Sequence, residues 1–366
     1  DVPVLIDDSK KIVDEIHALF SDTPPYEHYV FFLHLTNGGF GGLEHCRSCS
    51  MIYDRNGFKD RKKYIRLLSL VSHEFFHTWN IKRIRPKGLG PFDYYNEVYT
   101  KLLWIAEGVT SYYDNIFLPR SGVSTIKEYF ETICDDIKRY EGIPGKEVMT
   151  VEESSFDAWV KLYRPNENSI NTSISYYLKG GLIIMALDLT IRDITDGKKS
   201  MDDVYRLLWG KFKDDGESID DTTFKSICED VAGKPLDKIW NYLSTTTPLN
   251  IGDFFEPFGI ILKSQYSKPE QKKAGWFGIY MKKNTTQIST TLSTGPAYTS
   301  GLYVNDEILA LNNIRVSVEN IKDYMNNMTI GDTVDLLISR DGLVKTVSVT
   351  TKTLPFDKYY IDKMKE

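Results

Sequence analysis

Tyr64-Ile65-Arg66-Leu67-Leu68-Ser69-Leu70-Val71-Ser72-His73-Glu74-Phe75-Phe76-His77 is an apolar, helix-like run that ends on the pattern H-E-x-x-H. Residues four apart lie on one face of a helix, so His73 and His77 can reach the same metal ion. Glu74 projects beside them, where it can take a proton from a water that the metal activates. The chain has six histidines, and two of them fall at this spacing, which argues against a chance match.

A catalytic zinc takes three protein ligands and keeps one position open. The leading candidate for the third is Glu107, in the apolar segment Leu102-Leu103-Trp104-Ile105-Ala106-Glu107-Gly108-Val109-Thr110. A carboxylate in the middle of such a segment is costly unless it is paired or coordinated. Gly108 beside it leaves room for another helix to approach closely. Glu97, flanked by polar neighbours, is the competing ligand.

The run from His73 to Pro86, followed by Trp104-Ile105-Ala106-Glu107-Gly108, resembles the glycyl aminopeptidase family of zinc metallopeptidases. The resemblance implies a thermolysin-like catalytic domain with one Zn2+ per chain held by His73, His77 and Glu107, and Glu74 as a catalytic residue. Residues 78–106 separate His77 from Glu107, a longer insert than the wider aminopeptidase group has. Gly41-Gly42-Leu43-Glu44-His45 is similar to the Gly-x-Met-Glu-Asn strand of zinc aminopeptidases, which implies that Gly41, Gly42 and Glu44 bind substrate and that Glu44 holds its free amino group. His45 stands where that pattern has Asn. The preceding Phe31-Phe32-Leu33-His34-Leu35 reads as a buried strand. Ile174-Ser175-Tyr176-Tyr177-Leu178-Lys179-Gly180 resembles the Tyr-x-Lys-Gly segment of the same group, which implies that Tyr177 is catalytic and binds the oxyanion, with Tyr176 as the fallback. Arg83 and Arg85 read either as bidentate clamps for a peptide carboxylate or as structural arginines.

The 366 residues suffice for two or three domains, and a 26% charged, 41% hydrophobic composition is ordinary for a globular protein. The net charge of -6 and the lack of a basic cluster with interleaved aromatics exclude nucleic acid as the expected partner. No apolar run approaches the length of a membrane span. No signal peptide is read in the first residues, and a soluble cytoplasmic or periplasmic protein is expected, with the compartment open. The chain starts at Asp1 rather than Met, which reads as a fragment or processed form, and no strand-rich stretch corresponds to the N-terminal β domain that the resemblance implies. Cys46-Arg47-Ser48-Cys49 reads as incidental thiols or a local disulfide rather than half of a second zinc site.

The expected fold is α+β: a thermolysin-like zinc-protease core with a helical bundle, followed by a small β-rich PDZ domain. Residues 1–118 form the zinc-binding core in this reading, and 119–250 its helical part, with helices over 125–140, 151–163, 176–190, 200–212 and 222–243. Residues 251–366 hold the PDZ domain and a tail, with strands over 258–265, 276–282, 286–291, 306–311, 334–340 and 344–350. The run from Gly295 to Asn312 resembles the PDZ signature of bacterial proteases, which implies that Trp276, Phe277, Gly278 and Ile279 form a carboxylate-binding loop for a peptide or protein C-terminus. The expected function is a zinc aminopeptidase acting on peptides with a free N-terminus, with the family's preference for Gly or Ala. A zinc endopeptidase is the first alternative. A PDZ-centred scaffold with an inactive protease half is the second.

Overall fold

The computed structural model describes residues 2–90, 93, 95–213 and 218–364; Pro91 and Phe92 of the long insert lie outside them. The fold is α+β. Helix α1 (Val2–Phe20) leads into three strands, β1 (Val30–Thr36), β2 (Phe40–Glu44) and β3 (Ser48–Asp54). Their order is β1-β3-β2, with β1 parallel and β2 antiparallel to β3. The expected buried strand over 31–35 is therefore an edge, and Val30 and Phe32 face outward.

Helix α2 (Arg61–Phe76) starts at Asp60, whose carboxylate accepts from the Lys63 amide at 2.9 Å. The helix is buried on two sides. Leu67, Leu70 and Val71 pack on Cys49, Met51 and Tyr53 of β3, whereas Ile65, Leu68, Phe75 and Phe76 face the main core. A helix apolar on both flanks stays fixed between layers. That is what holds His73 and Glu74 in place at its last turn.

The helices that follow are α3 (Val109–Arg120), α4 (Ile126–Glu141), α5 (Val151–Phe156), α6 (Ser169–Thr172), α7 (Leu178–Ile194), α8 (Met201–Phe212), α9 (Asp221–Ala232) and α10 (Asp237–Ser244). Capping boxes start α4, α5 and α8 at Thr125, Thr150 and Ser200. Two expected helices are shorter than the pattern suggests. The one over 151–163 stops at Phe156, and the one over 222–243 breaks at Gly233, whose φ of 68° ends α9 two residues before Pro235.

One hydrophobic core runs from Ile12 to Phe255, so no packing boundary falls at residue 118. It also takes in the strand Ile260–Gln265, which pairs with Lys358–Met364 and lays Ile260, Leu262, Tyr359 and Ile361 on the helices. Both ends of the 251–366 segment thus pack with the helices of the first core. Between them lies a second, separate core of Phe277, Ile288, Leu302, Ile308, Leu336 and their neighbours. It is built on a four-stranded sheet and the hairpin Ile279–Met281/Ile288–Thr291. The single strand expected over 276–282 is interrupted at Phe277 and Gly278. Among the described residues no helix is long and apolar enough to cross a membrane.

Candidate metal centre and substrate cleft

His73 leaves the last turn of α2, and His77 caps its end. The chain then turns through Ile81, which holds φ at 143°, a strained conformation for a β-branched residue that persists only where surrounding structure enforces it. Glu107 arrives from a π-helical turn, Trp104–Gly108, at the head of α3. Such turns occur often at functional sites, because one wide turn re-aims a side chain. Behind it Gly108 meets Gly180 of α7: a Cβ on Gly108 would lie 3.0 Å from the Gly180 backbone. This close crossing brings Tyr177, three residues ahead of Gly180, against His73.

His73 Nε2 lies 3.1 Å and His77 Nε2 3.2 Å from Glu107 Oε2. Among the described residues His73, His77 and Glu107 are the one His/Cys/Asp/Glu group arranged to hold a metal. Glu97 is exposed and takes no part. The remaining ring nitrogens are fixed from behind: His73 Nδ1 is 2.8 Å from Asp114 Oδ2, and His77 Nδ1 donates to the Asn80 carbonyl at 2.8 Å. Both Nε2 atoms are left facing the same point, as imidazoles that ligate a metal are held in general. Burial works to lower the His73 pKa, but Asp114 and Glu107 raise it well above its usual value. Glu107 is raised by burial and, more strongly, pulled below the carboxylate range by His77 and His73. Two imidazole nitrogens, each oriented from behind, and one carboxylate fit zinc.

Asn80 ties together the two elements that carry His73, His77 and Glu107. Its side chain donates to the carbonyls of Ile105 and Ala106, both at 3.0 Å, inside the π-helical turn, and to Thr110 Oγ1 at 2.9 Å. Its Oδ1 accepts from the Tyr205 hydroxyl at 3.0 Å. Sequence reasoning missed both Asn80 and Asp114. Asp114 had a usable signal: it follows Glu107 by seven residues, two helical turns, and so returns to the same face. Asn80 had none, since a polar residue after a helix reads as a cap.

Glu74 is buried, and burial pushes its carboxyl up to about 7 against the pull of His73 and His77. Its Oε2 accepts no hydrogen bond from the described residues. Gly42 of β2 leaves the space that Glu74 fills: a Cβ there would meet the Glu74 carboxylate, which would have to move. Two residues along β2, Glu44 Oε1 forms an ion pair with Lys82 Nζ at 2.9 Å. Tyr177 stacks on His73 with ring centroids 6.3 Å apart, while Tyr176 is buried behind it. Tyr163, which sequence reasoning also missed, places its hydroxyl 3.3 Å from those of both tyrosines.

The two arginines offered as carboxylate clamps are turned elsewhere. Arg83 gives its guanidinium to the carbonyls of Thr78 and Pro25, both at 2.6 Å, and of Cys46. Arg85 donates to the carbonyls of Lys82 and Ile81. Arg83 ties the start of the insert to the chain at Pro25 and Cys46, and Arg85 braces the turn of the insert itself, because a planar cation with five donors satisfies several carbonyls at once. Cys46 and Cys49 are free thiols, one exposed and one buried.

In the C-terminal unit Gly278 has φ 75°, and a Cβ there would fall 2.5 Å from Gly295 Cα. The Phe277 and Gly278 carbonyls accept from Ala297 and Leu292, at 3.0 and 2.8 Å, and so point into the domain. The peptide group is planar and trans, so the amides of Gly278 and Ile279 point the opposite way, outward.

Residues 66–183 match the M61 glycyl aminopeptidase family, and residues 275–351 match the PDZ domain family. The chain carries an M61 glycyl aminopeptidase domain followed by a PDZ domain. The M61 match covers His73, Glu74, His77, Glu107 and Tyr177, whereas Gly42 and Glu44 precede it. Among solved structures, an aminopeptidase N family protein from Idiomarina loihiensis is 29% identical and superposes with a TM-score of 0.89. That match takes in 100% of this chain, which spans 65% of the length of that protein. A serine endoprotease from Yersinia pestis is 26% identical over 23% of this chain and 30% of its own, with a TM-score of 0.20. The HtrA-type protease AlgW with a decapeptide is 18% identical over the same shares, with a TM-score of 0.21. Comparison with curated proteins returned no match.

Proposed function

We propose that this M61 chain is a zinc-dependent aminopeptidase that removes the first residue of peptides with a free N-terminus, favouring small residues such as Gly or Ala. The observation that carries the reading is the convergence of His73 Nε2, His77 Nε2 and a Glu107 carboxylate oxygen on one point. One Zn2+ held there would supply Lewis acidity, lowering the pKa of water and polarising a carbonyl. Glu74, beside that point, takes a proton from the attacking water and passes it to the leaving amine. Tyr177 offers its hydroxyl to the oxyanion. Gly41 and Gly42 let the substrate backbone lie along β2. Glu44, at the end of that strand, is the group that tells a free N-terminus from a blocked one.

A zinc endopeptidase is the second reading, and the Lys82–Glu44 ion pair favours it, because an amine anchor already neutralised selects less strongly. At the PDZ domain the outward amides of Gly278 and Ile279, between Trp276 and Phe277 on one side and the hairpin on the other, suit the carboxylate of a peptide C-terminus.

The test is release of free amino acids from peptides that are N-terminally free or N-acetylated, with and without a zinc chelator. Chelator-sensitive release from free N-termini, lost in Glu74→Gln while zinc content is kept, is the expected result. Internal cleavage of blocked peptides would move the protein to the endopeptidase reading, and no turnover with zinc bound would refute both.

A further inference from the structure

We infer that Lys82 is a specificity-determining residue: its side-chain ammonium stands in for the substrate's N-terminal ammonium on Glu44, so that substrate must compete with it. The inference rests on the reading of Glu44 as the amine anchor.

The two groups are alike in chemistry. A lysine ammonium and a peptide α-ammonium are both compact cations with three donors, and they differ mainly in their tethers. Lys82 Nζ sits 2.9 Å from Glu44 Oε1, with side chains only 10% and 16% exposed, so the pair is sheltered rather than a solvated surface contact. The tether is built into the metal centre. The Lys82 amide donates to the His77 carbonyl at 3.1 Å, and the strained Ile81 precedes it. Arg85 holds the Lys82 carbonyl at 3.0 Å, and Arg83 fastens the same turn to Thr78 and to Cys46, just beyond β2. Glu44 is fixed from the other side by pairing with Cys49 in the sheet. Both partners are therefore held from their backbones, which keeps the two side chains within reach of each other.

A second ammonium brought to this carboxylate meets a cation already there. It must share one carboxylate with a like charge or displace Lys82 into solvent. Either route takes away much of what a free N-terminus would gain from Glu44. The native site therefore discriminates between free and blocked N-termini less strongly than an unpaired Glu44 would, and removing the Lys82 charge sharpens the discrimination.

The experiment measures equilibrium binding of Ala-Ala-Ala and N-acetyl-Ala-Ala-Ala by calorimetry. It uses the full chain in a Glu74→Gln background, where no peptide is turned over. Lys82→Met should tighten Ala-Ala-Ala by at least about fivefold, the size of one charge-assisted hydrogen bond gained without displacing another, and leave the acetylated peptide unchanged. Lys82→Arg should behave like the native residue. Lys82→Gln, which keeps a polar group of similar length, should follow Lys82→Met and covers the case in which that variant fails to fold. An unchanged ratio between the two peptides, a weaker grip on the free one, or no binding by any variant overturns the inference. Turnover is not read, so failure of the peptidase reading shows separately, in the amino-acid release assay.

Discussion

Lys179 carries an ammonium into a place that water does not reach. Its side chain has no exposed surface, and its nearest acceptor, the Thr245 carbonyl, is 3.5 Å from Nζ. Burial lowers its pKa to about 8, and Lys146 nearby adds to the effect. The unfolded chain keeps this proton up to about pH 10.4, whereas the folded chain releases it near 8. Folding thus expels a proton between those values, and stability climbs with pH across that window. Below pH 8 the penalty is present in full. Lys179→Met should therefore stabilise the protein at pH 7 by on the order of 1–3 kcal/mol, and the gain should shrink to nothing above about pH 10.5. Thermal melts of both proteins at pH 7 and pH 10.5 decide it; a variant no more stable at pH 7 refutes the account. At this same scale the sequence was most readable where chemistry depends on spacing. His73, Glu74 and His77 declare themselves because four residues make one helical turn. Arg83 does not, because whether a guanidinium meets a substrate or a carbonyl depends on where Pro25 and Cys46 come to lie.

Elements are legible when their signals are local. The capping boxes at Thr125, Thr150 and Ser200 and the break at Gly233-Lys234-Pro235 are written in adjacent residues. The strand Lys358–Met364 is not, since its partner Ile260–Gln265 lies almost a hundred residues earlier and its own alternation is weak. The π-helical turn is a harder case still. Nothing in Trp104-Ile105-Ala106-Glu107-Gly108 distinguishes it from an ordinary helical turn; the Asn80 amide, reaching from the turn that follows α2, holds the carbonyls at 105 and 106. If Asn80 sets the distance between the two elements, Asn80→Ala should weaken zinc binding by about 10–100-fold, the usual cost of losing a group that orients metal ligands. Competition against a chromophoric chelator measures this directly. Asn80→Asp, which keeps the acceptor for Tyr205 and loses the donors, serves if the alanine variant does not fold. Native zinc affinity in both would show that the turn forms without Asn80.

The two hydrophobic cores make one molecule through a few polar contacts. The connectors to the PDZ domain run side by side, where the Tyr266 hydroxyl donates to the Leu354 carbonyl and Ser267 bonds Asp357. The other tie is Asn171 in α6, a buried side chain whose amide donates to the Thr291 carbonyl at 2.7 Å and whose Oδ1 accepts from the Ser293 amide at 2.8 Å. Asn171 thus acts as one residue of a strand laid along the PDZ backbone. Leu292, between those two residues, gives its amide to Gly278 of the proposed carboxylate loop. Asn171→Ala would leave the buried Thr291 carbonyl without its partner, at a cost of about 1–3 kcal/mol, and the half-buried Ser293 amide at a smaller one. That cost falls on docking, since the PDZ core of Phe277, Ile288 and Leu336 is untouched. The domain should swing free more often on its two connectors, and proteolysis at 266–274 should accelerate by roughly 5–100-fold, with cleavage following the population of the open form. Limited proteolysis read by mass spectrometry, with the PDZ fragment recovered intact, is the expected pattern. If the native and variant proteins are cut at equal rates, the docking is carried by the connectors alone, and Asn171 is a bystander.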